Sequence, residues 1–231
     1  GTAHRNGYAS CHGGLKKFVL EDKKRVFAFF GLSGSGKSTL THSKHNGKYK
    51  VKVLHDDAFI IDLLDGSSIA LEPAYFDKTQ DYPADHPEQE YFLTAQNVGV
   101  TKDVDGKRVL VTEDIRNGNG RTVKSRYVTP DRVDKFHSAI EGIYWIMKDD
   151  SLPPLVKIEN PILAATFGAT LATKRSTAET ARKGEDRDRL VIEPYANPFR
   201  VYPLIEDYED FKALLSKEAV DCYIINTGAF R

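Results

Sequence analysis

The sequence predicts a mixed α/β fold of the α+β kind, with a largely mixed or antiparallel sheet, and three observations predict it. An apolar run, "KKRVFAFFGL", ends in a glycine-rich turn and a helix start. Strand-like runs rich in Val, Ile, Tyr and Phe recur along the chain, several of them joined by short turns, which points away from a regular βαβ array. Near the end an amphipathic helix precedes a last apolar strand.

"KKRVFAFFGL" reads as a buried strand, and "GKSTLTHS" as the first turns of the helix after it. "YKVKVLHDDAFIID" alternates as far as Leu54 and reads as a second strand with acids at its C-terminal end. "SSIALEPAYFD" and "YFLTAQNVGV" are expected strands, and "GKRVLVTEDI" another, paired with its predecessor across the hairpin-like "KDVDGK". "TPDRVDKFHSAIEG" starts with Thr and Asp and is expected to be helical or irregular. "IYWIMKDD" is a short buried strand, "SLPPLVKI" a proline-stiffened loop, and "NPILAATFGATLATKR" fits helix or strand. "TARKGEDRDR" is a mixed-charge surface loop, "DYEDFKALLSKEA" the amphipathic helix and "DCYIINTG" the last strand.

With 231 residues, 40% of them hydrophobic and 29% charged, the chain supports one core, read as a single domain over residues 1–231. A formal net charge of zero argues against a nucleic-acid partner. Cys11 and Cys222 are the only cysteines and lack C-x-x-C spacing, which favours a reducing, cytoplasmic setting over a disulfide scaffold. No apolar run approaches the ~20 residues that span a bilayer, so no membrane partner is expected. There is no internal repeat or low-complexity tract, and the oligomeric state is not legible. The chain starts at Gly1 and stops at Arg231 in mid-pattern, which reads as a piece excised from a longer protein.

"GLSGSGKS" matches G-x-x-x-x-G-K-[ST] at every position. Gly31, Gly34 and Gly36 permit the dihedrals that turn successive N–H groups into one concavity, which Leu32, Ser33, Ser35 and Thr39 complete. Lys37 reaches phosphate oxygens, and the Ser38 hydroxyl is placed to ligate a divalent cation. "LHDD" then sets Asp56 and Asp57 side by side, where repulsion calls for a neutralising cation or donors; Mg²⁺ or Mn²⁺ beside a triphosphate is the natural choice. His12, in "GYASCHGG", reads on its own as a turn residue, and the remaining histidines have no better individual claim.

Taken together, "GYASCH", "FFGLSGSGKSTL" and "LHDD" resemble the G-x-A-S-x-H segment, the F-F-G-L-S-G-x-G-K-[ST]-[ST]-L loop and the D-D strand end of ATP-type phosphoenolpyruvate carboxykinases. "LPPLVKI", "ATFGATL" and "YIINTG" are similar to further segments of that family and occur in its order, so the resemblance covers almost the whole chain as a divergent member. It implies a P-loop-containing, carboxykinase-type mononucleotide-binding domain. It also implies a reaction, at the gluconeogenic or anaplerotic node, in which oxaloacetate and ATP give phosphoenolpyruvate, ADP and CO₂.

The resemblance further implies two metals. His12 and Asp57 match two ligands of a Mn²⁺, Ser38 matches the ligand of the Mg²⁺ that travels with ATP, and Asp56 supports the latter through water. Lys37 matches the lysine on the transferring phosphoryl group, with Ser33 as a nearby loop hydroxyl. Decarboxylation leaves an enolate, whose charge a bound cation stabilises, and phosphoryl transfer needs alignment and charge neutralisation. For the family's arginine, Arg121 in "TEDIRNGNGR" is the choice, with Arg116 and Arg126 as rivals. Glu72 and Lys78 in "LEPAYFDKT" stand at the family's F-E-G-G-x-Y-x-K, where proline replaces a glycine and removes an N–H.

The family's upstream lysine, arginine and tyrosine and its downstream adenine pocket have no counterpart in these residues, so weak nucleotide binding and little turnover are expected of this chain alone. Two other readings remain: a P-loop phosphotransferase acting on a small molecule or carrier protein, which would not need His12, and a non-catalytic nucleotide-binding module.

Overall fold

In a computed structural model, the structure describes residues 1–32, 35–72, 74–79, 84, 86, 89–93, 98–111, 121–125, 131–149, 151–174 and 190–228. They form two compact units, Gly1–Glu72 with Asp131–Arg231, and Pro73–Pro130. The architecture is mixed α/β, with one mixed sheet and several antiparallel ones.

In the first unit the strands are β1 (Tyr8–His12), β2 (Gly14–Val19), β3 (Lys24–Phe30), β4 (Lys50–His55), β5 (Ala58–Asp62) and β6 (Ser68–Ala70). The second unit holds β7 (Ala74–Lys78), β8 (Val100–Lys102), β9 (Arg108–Leu110) and β10 (Arg121–Ser125). Returning to the first unit come β11 (Lys135–Phe136), β12 (Gly142–Met147), β13 (Leu155–Ile158), β14 (Ala172–Lys174), β15 (Leu190–Ile192) and β16 (Asp221–Asn226). The helices are α1 (Thr2–Arg5), α2 (Lys37–His42), α3 (Gln89–Phe92), α4 (Pro161–Ala169) and α5 (Leu204–Leu215).

The principal sheet has the order β13-β16-β12-β3-β2-β4. Its centre is parallel, β12 pairing with both β3 and β16, and its flanks are antiparallel. A second, antiparallel sheet runs β1-β5-β6-β11. Phe30 of β3 stacks on Phe59 of β5, with ring centroids 6.1 Å apart, so the two sheets share one core. β3 and β12 are aromatic and β-branched because helices cover them: Trp145 donates to the Ala164 carbonyl of α4 at 3.1 Å and packs on Phe211 of α5. α5 turns Asp207, Asp210, Phe211, Leu214 and Leu215 inward at helical spacing.

Several expectations change. In "YKVKVLHDDAFIID" the strand with the acids at its C-terminal end is β4, as read, but "AFIID" is a further strand, β5, that joins a different sheet. "SSIALEPAYFD" likewise divides between β6 and β7. Tyr91 and Phe92, read as strand, lie in the short helix α3, where Phe92 is buried against Leu110. "SLPPLVKI" carries β13, since an edge position leaves only one ladder to satisfy and Pro153 and Pro154 precede it. "NPILAATFGAT" is helical: the Asn160 side chain accepts from Leu163 N–H at 3.0 Å and Pro161 opens the first turn, so the cap and the proline were the signal. The β8–β9 hairpin forms as read, with Gly106 in the left-handed region. "TARKGEDRDR" lies outside the described residues. Among the described residues, no helix is long and apolar enough to cross a membrane.

Candidate nucleotide and metal site

Sheet topology brings the sequence motifs to one edge. β3, β12 and β16 run in the same direction, and β4 joins them because β2 is antiparallel to both β3 and β4. The carboxyl ends of β3, β4 and β16 therefore share an edge with the amino end of β2. From that edge emerge the glycine-rich loop after Phe30, the Asp56–Asp57 turn and Thr227, while His12 closes β1 just before β2 begins. Ligands of open sheets gather outside such carboxyl ends.

The described part of the loop closes with a Ser35 N–H to Leu32 carbonyl bond at 3.0 Å. Gly36, with φ +97° and ψ 8°, then caps α2 in a conformation that a side chain resists, and Lys37 becomes the first helical residue. Thr41 on α2 lies against Gly14, where a Cβ would overlap its hydroxyl, so the helix sits close on β2. At the other end of α2, Lys16, fully buried in β2, donates to the Leu40 and Ser43 carbonyls and contacts His45 Nε2 at 3.0 Å. The far strand completes the frame. Thr227 Oγ1 donates to the Ser35 carbonyl at 2.6 Å, and the Asn226 amide holds the Asp149 and Leu152 carbonyls at 2.7 Å each. The buried Ser35 Oγ has no hydrogen-bond partner among the described residues.

The acids sit in the turn between β4 and β5. His12 Nε2 lies 2.9 Å from Asp57 Oδ1, and the Gly13 N–H donates to the Asp57 carbonyl at 2.8 Å. His12 Nδ1 lies 2.5 Å from the Ala196 carbonyl oxygen. A carbonyl only accepts, so Nδ1 carries a proton, and in the neutral ring Nε2 presents its lone pair to the carboxylate. Two acceptors face each other there, which a proton or a cation reconciles. The contact with His12, more than the nearby Lys37 charge, holds the Asp57 carboxyl below its usual range. Asp57 is 42% exposed at its side chain, open to an incoming ligand.

Asp56 is the more enclosed partner. Burial pushes its carboxyl up, but His42 Nε2 at 2.9 Å and the charges of Arg132 and Lys37 outweigh that and hold it well below the normal range. His55, buried at the end of β4, accepts the N–H groups of Asp57 and Ala58 on Nδ1 at 2.9 and 3.2 Å, which fixes the turn. Its Nε2 lies 3.6 Å from Glu72, whose carboxyl is raised by burial and by the neighbouring Asp57 and Asp56 charges.

His12, Lys37, Asp56 and Asp57 are thus neighbours, with Ser38 and Thr39 following on α2. Asp56 has one oxygen engaged by His42. Ser33 and Gly34, Arg116 and Arg126 lie outside the described residues. Arg121 is in β10 of the second unit, opposite Lys78 of β7 in backbone register, and neither side chain is described. Sequence reasoning missed His42 and Arg132. Arg132 is buried in an extended segment bridged to Val53 of β4, and no local motif announces it; His42 stands one helical turn after Lys37 and Ser38, a spacing that was legible. Among the described residues no group of three or more His, Cys, Asp or Glu side chains is arranged to hold a metal ion. No protein-family model matches the chain, and no curated protein does.

Proposed function

We propose that this chain is the nucleotide- and metal-binding part of an ATP-dependent phosphoenolpyruvate carboxykinase, which converts oxaloacetate and ATP to phosphoenolpyruvate, ADP and CO₂. The observation that carries the reading is the meeting of His12 Nε2 and Asp57 Oδ1 at 2.9 Å, with Nδ1 committed to a carbonyl and Lys37 close enough to favour the carboxylate. A simple phosphate-binding loop has no use for that imidazole.

The donor set fits a divalent cation, because an imidazole lone pair and an accessible carboxylate are the ligands that Mn²⁺ accepts. Held there, the cation would supply positive charge beside the carbonyl oxygen of oxaloacetate. The chain's own groups do the rest. Lys37 and the loop amides bind and align the phosphates, Ser38 offers its hydroxyl to the nucleotide's Mg²⁺, and His42 with Arg132 keeps Asp56 ionised at the turn.

The test is Mn²⁺ binding followed by paramagnetic resonance, together with a coupled assay for phosphoenolpyruvate. His12→Ala and Asp57→Asn should each weaken Mn²⁺ binding by about 10–100-fold and leave ATP binding intact. Unchanged Mn²⁺ affinity in both variants overturns the reading. The second reading, a P-loop phosphotransferase, draws on the lack of a third ligand beside His12 and Asp57 among the described residues. It expects phosphoryl transfer that survives His12→Ala.

A further inference from the structure

Residues 193–200 pass beside His12, which meets Ala196 and Phe199, and their backbone is unusual. Tyr195 (φ +54°, ψ +21°) and Ala196 (φ +52°) are consecutive non-glycine residues in the left-handed region. Such a pair persists only where its surroundings over-determine it, and it clusters at functional positions. Both residues are buried, Tyr195 at 1% exposure and Ala196 at 0%.

The surroundings are explicit. The Tyr195 ring lies flat on Phe211 of α5, with centroids 4.4 Å apart and planes 5° from parallel, and meets Trp145 edge-on at 5.7 Å. Its hydroxyl donates to the Ala165 carbonyl of α4 at 2.8 Å. The turn itself is closed by Ala196 N–H to the Glu193 carbonyl at 2.9 Å and Asn197 N–H to the Pro194 carbonyl at 3.0 Å. What this strain delivers is one atom: the Ala196 carbonyl oxygen, 2.5 Å from His12 Nδ1. Phe199, 71% exposed, adds its ring edge-on to the imidazole with centroids 5.4 Å apart.

We infer that the Tyr195–Ala196 turn is a positioning device for His12: its carbonyl fixes the Nδ1–H tautomer, so that Nε2 holds a lone pair beside Asp57 and is ready for a cation. The idea rests on reading His12 as a cation ligand. Tyr195 and Ala196 touch no ligand in this scheme. They act through the imidazole, and the anchor for that action is the aromatic core between α4, α5 and β12.

Nitrogen NMR of the imidazole in the metal-free chain, at about pH 9, above the range in which imidazoles titrate, reads the tautomer directly. The Nδ1–H form is expected, and an Nε2–H form overturns the inference. Ala196→Gly keeps the carbonyl and relaxes the left-handed backbone, and should bind Mn²⁺ within about twofold of the wild type. Ala196→Val disfavours that backbone and should lose Mn²⁺ affinity by about tenfold or more while ATP affinity holds. A folded Ala196→Val chain with wild-type Mn²⁺ affinity also overturns it. If Ala196→Val does not fold, the wild-type tautomer decides alone. A wild-type chain that shows the Nδ1–H form and binds no Mn²⁺ refutes the cation reading and leaves the positioning intact.

Discussion

Thr227 donates its hydroxyl hydrogen to the Ser35 carbonyl at 2.6 Å, across 192 residues of sequence, and so ties the end of the last strand to the turn before Lys37. Thr227→Val keeps the shape and removes the donor. Nucleotide affinity should fall several-fold and stability by about 1 kcal/mol, while Thr227→Ser preserves both. Calorimetric titration with ATP and thermal unfolding of the two variants check this; equal ATP affinity in all three chains would refute it.

Gly168 on α4 leaves no room for a methyl group. A Cβ there would overlap the Tyr195 ring and stand 2.8 Å from Trp145 Cζ2. Gly168→Ala should destabilise by about 1–3 kcal/mol. Because the displaced ring carries the turn that reaches His12, Mn²⁺ affinity should drop further than ATP affinity. Parallel losses in both would mean that only general packing was disturbed.

Asp56 predicts the acid side of the stability curve. Burial raises its pKa and the His42, Arg132 and Lys37 charges more than reverse that, so its folded value is below its unfolded one. The stabilisation is present above the unfolded value of about 4 and is lost as pH falls below it. Asp56→Asn should flatten the stability profile below about pH 4, and Arg132→Met should move the acid limb to higher pH. Denaturant melts from pH 2 to 7 measure both, and proton linkage supplies the expected slope.

Lys16 predicts the alkaline side. Burial lowers its ammonium from the usual 10.5 to about 8. The folded chain therefore disfavours the charged form, and the penalty, present below about 8, disappears as pH rises toward 10.5. Wild-type stability should gain on that of Lys16→Met across this window by on the order of 2–3 kcal/mol. A constant difference between the two chains across the window would show that Lys16 titrates normally.

The parts legible in the sequence were those whose cause is local. The glycine-rich loop, α2 and α5 follow from composition and period within a dozen residues, and the hairpin of β8 and β9 from its glycine turn. Asp56 and Asp57 were legible as a pair, but not as a break between two sheets, because apolar alternation runs on either side of them. His12 gained meaning only from the resemblance. Its Nδ1 partner is 184 residues away, and the carbonyl of an alanine carries no signature in a sequence. Arg132 was invisible for the same reason: it is bridged to Val53 of β4 and its charge acts on Asp56, neither of which is near it in the chain.

The strand order has a consequence for how the protein is made. β12 lies between β3 and β16, and the glycine-rich loop that leaves β3 is fastened by a hydroxyl at position 227. A ribosome-bound chain that has not yet emerged through that position owns the loop's residues without its restraint. The loop is therefore fixed only after a further 192 residues have followed Ser35 out of the ribosome, long after its own signature has been made.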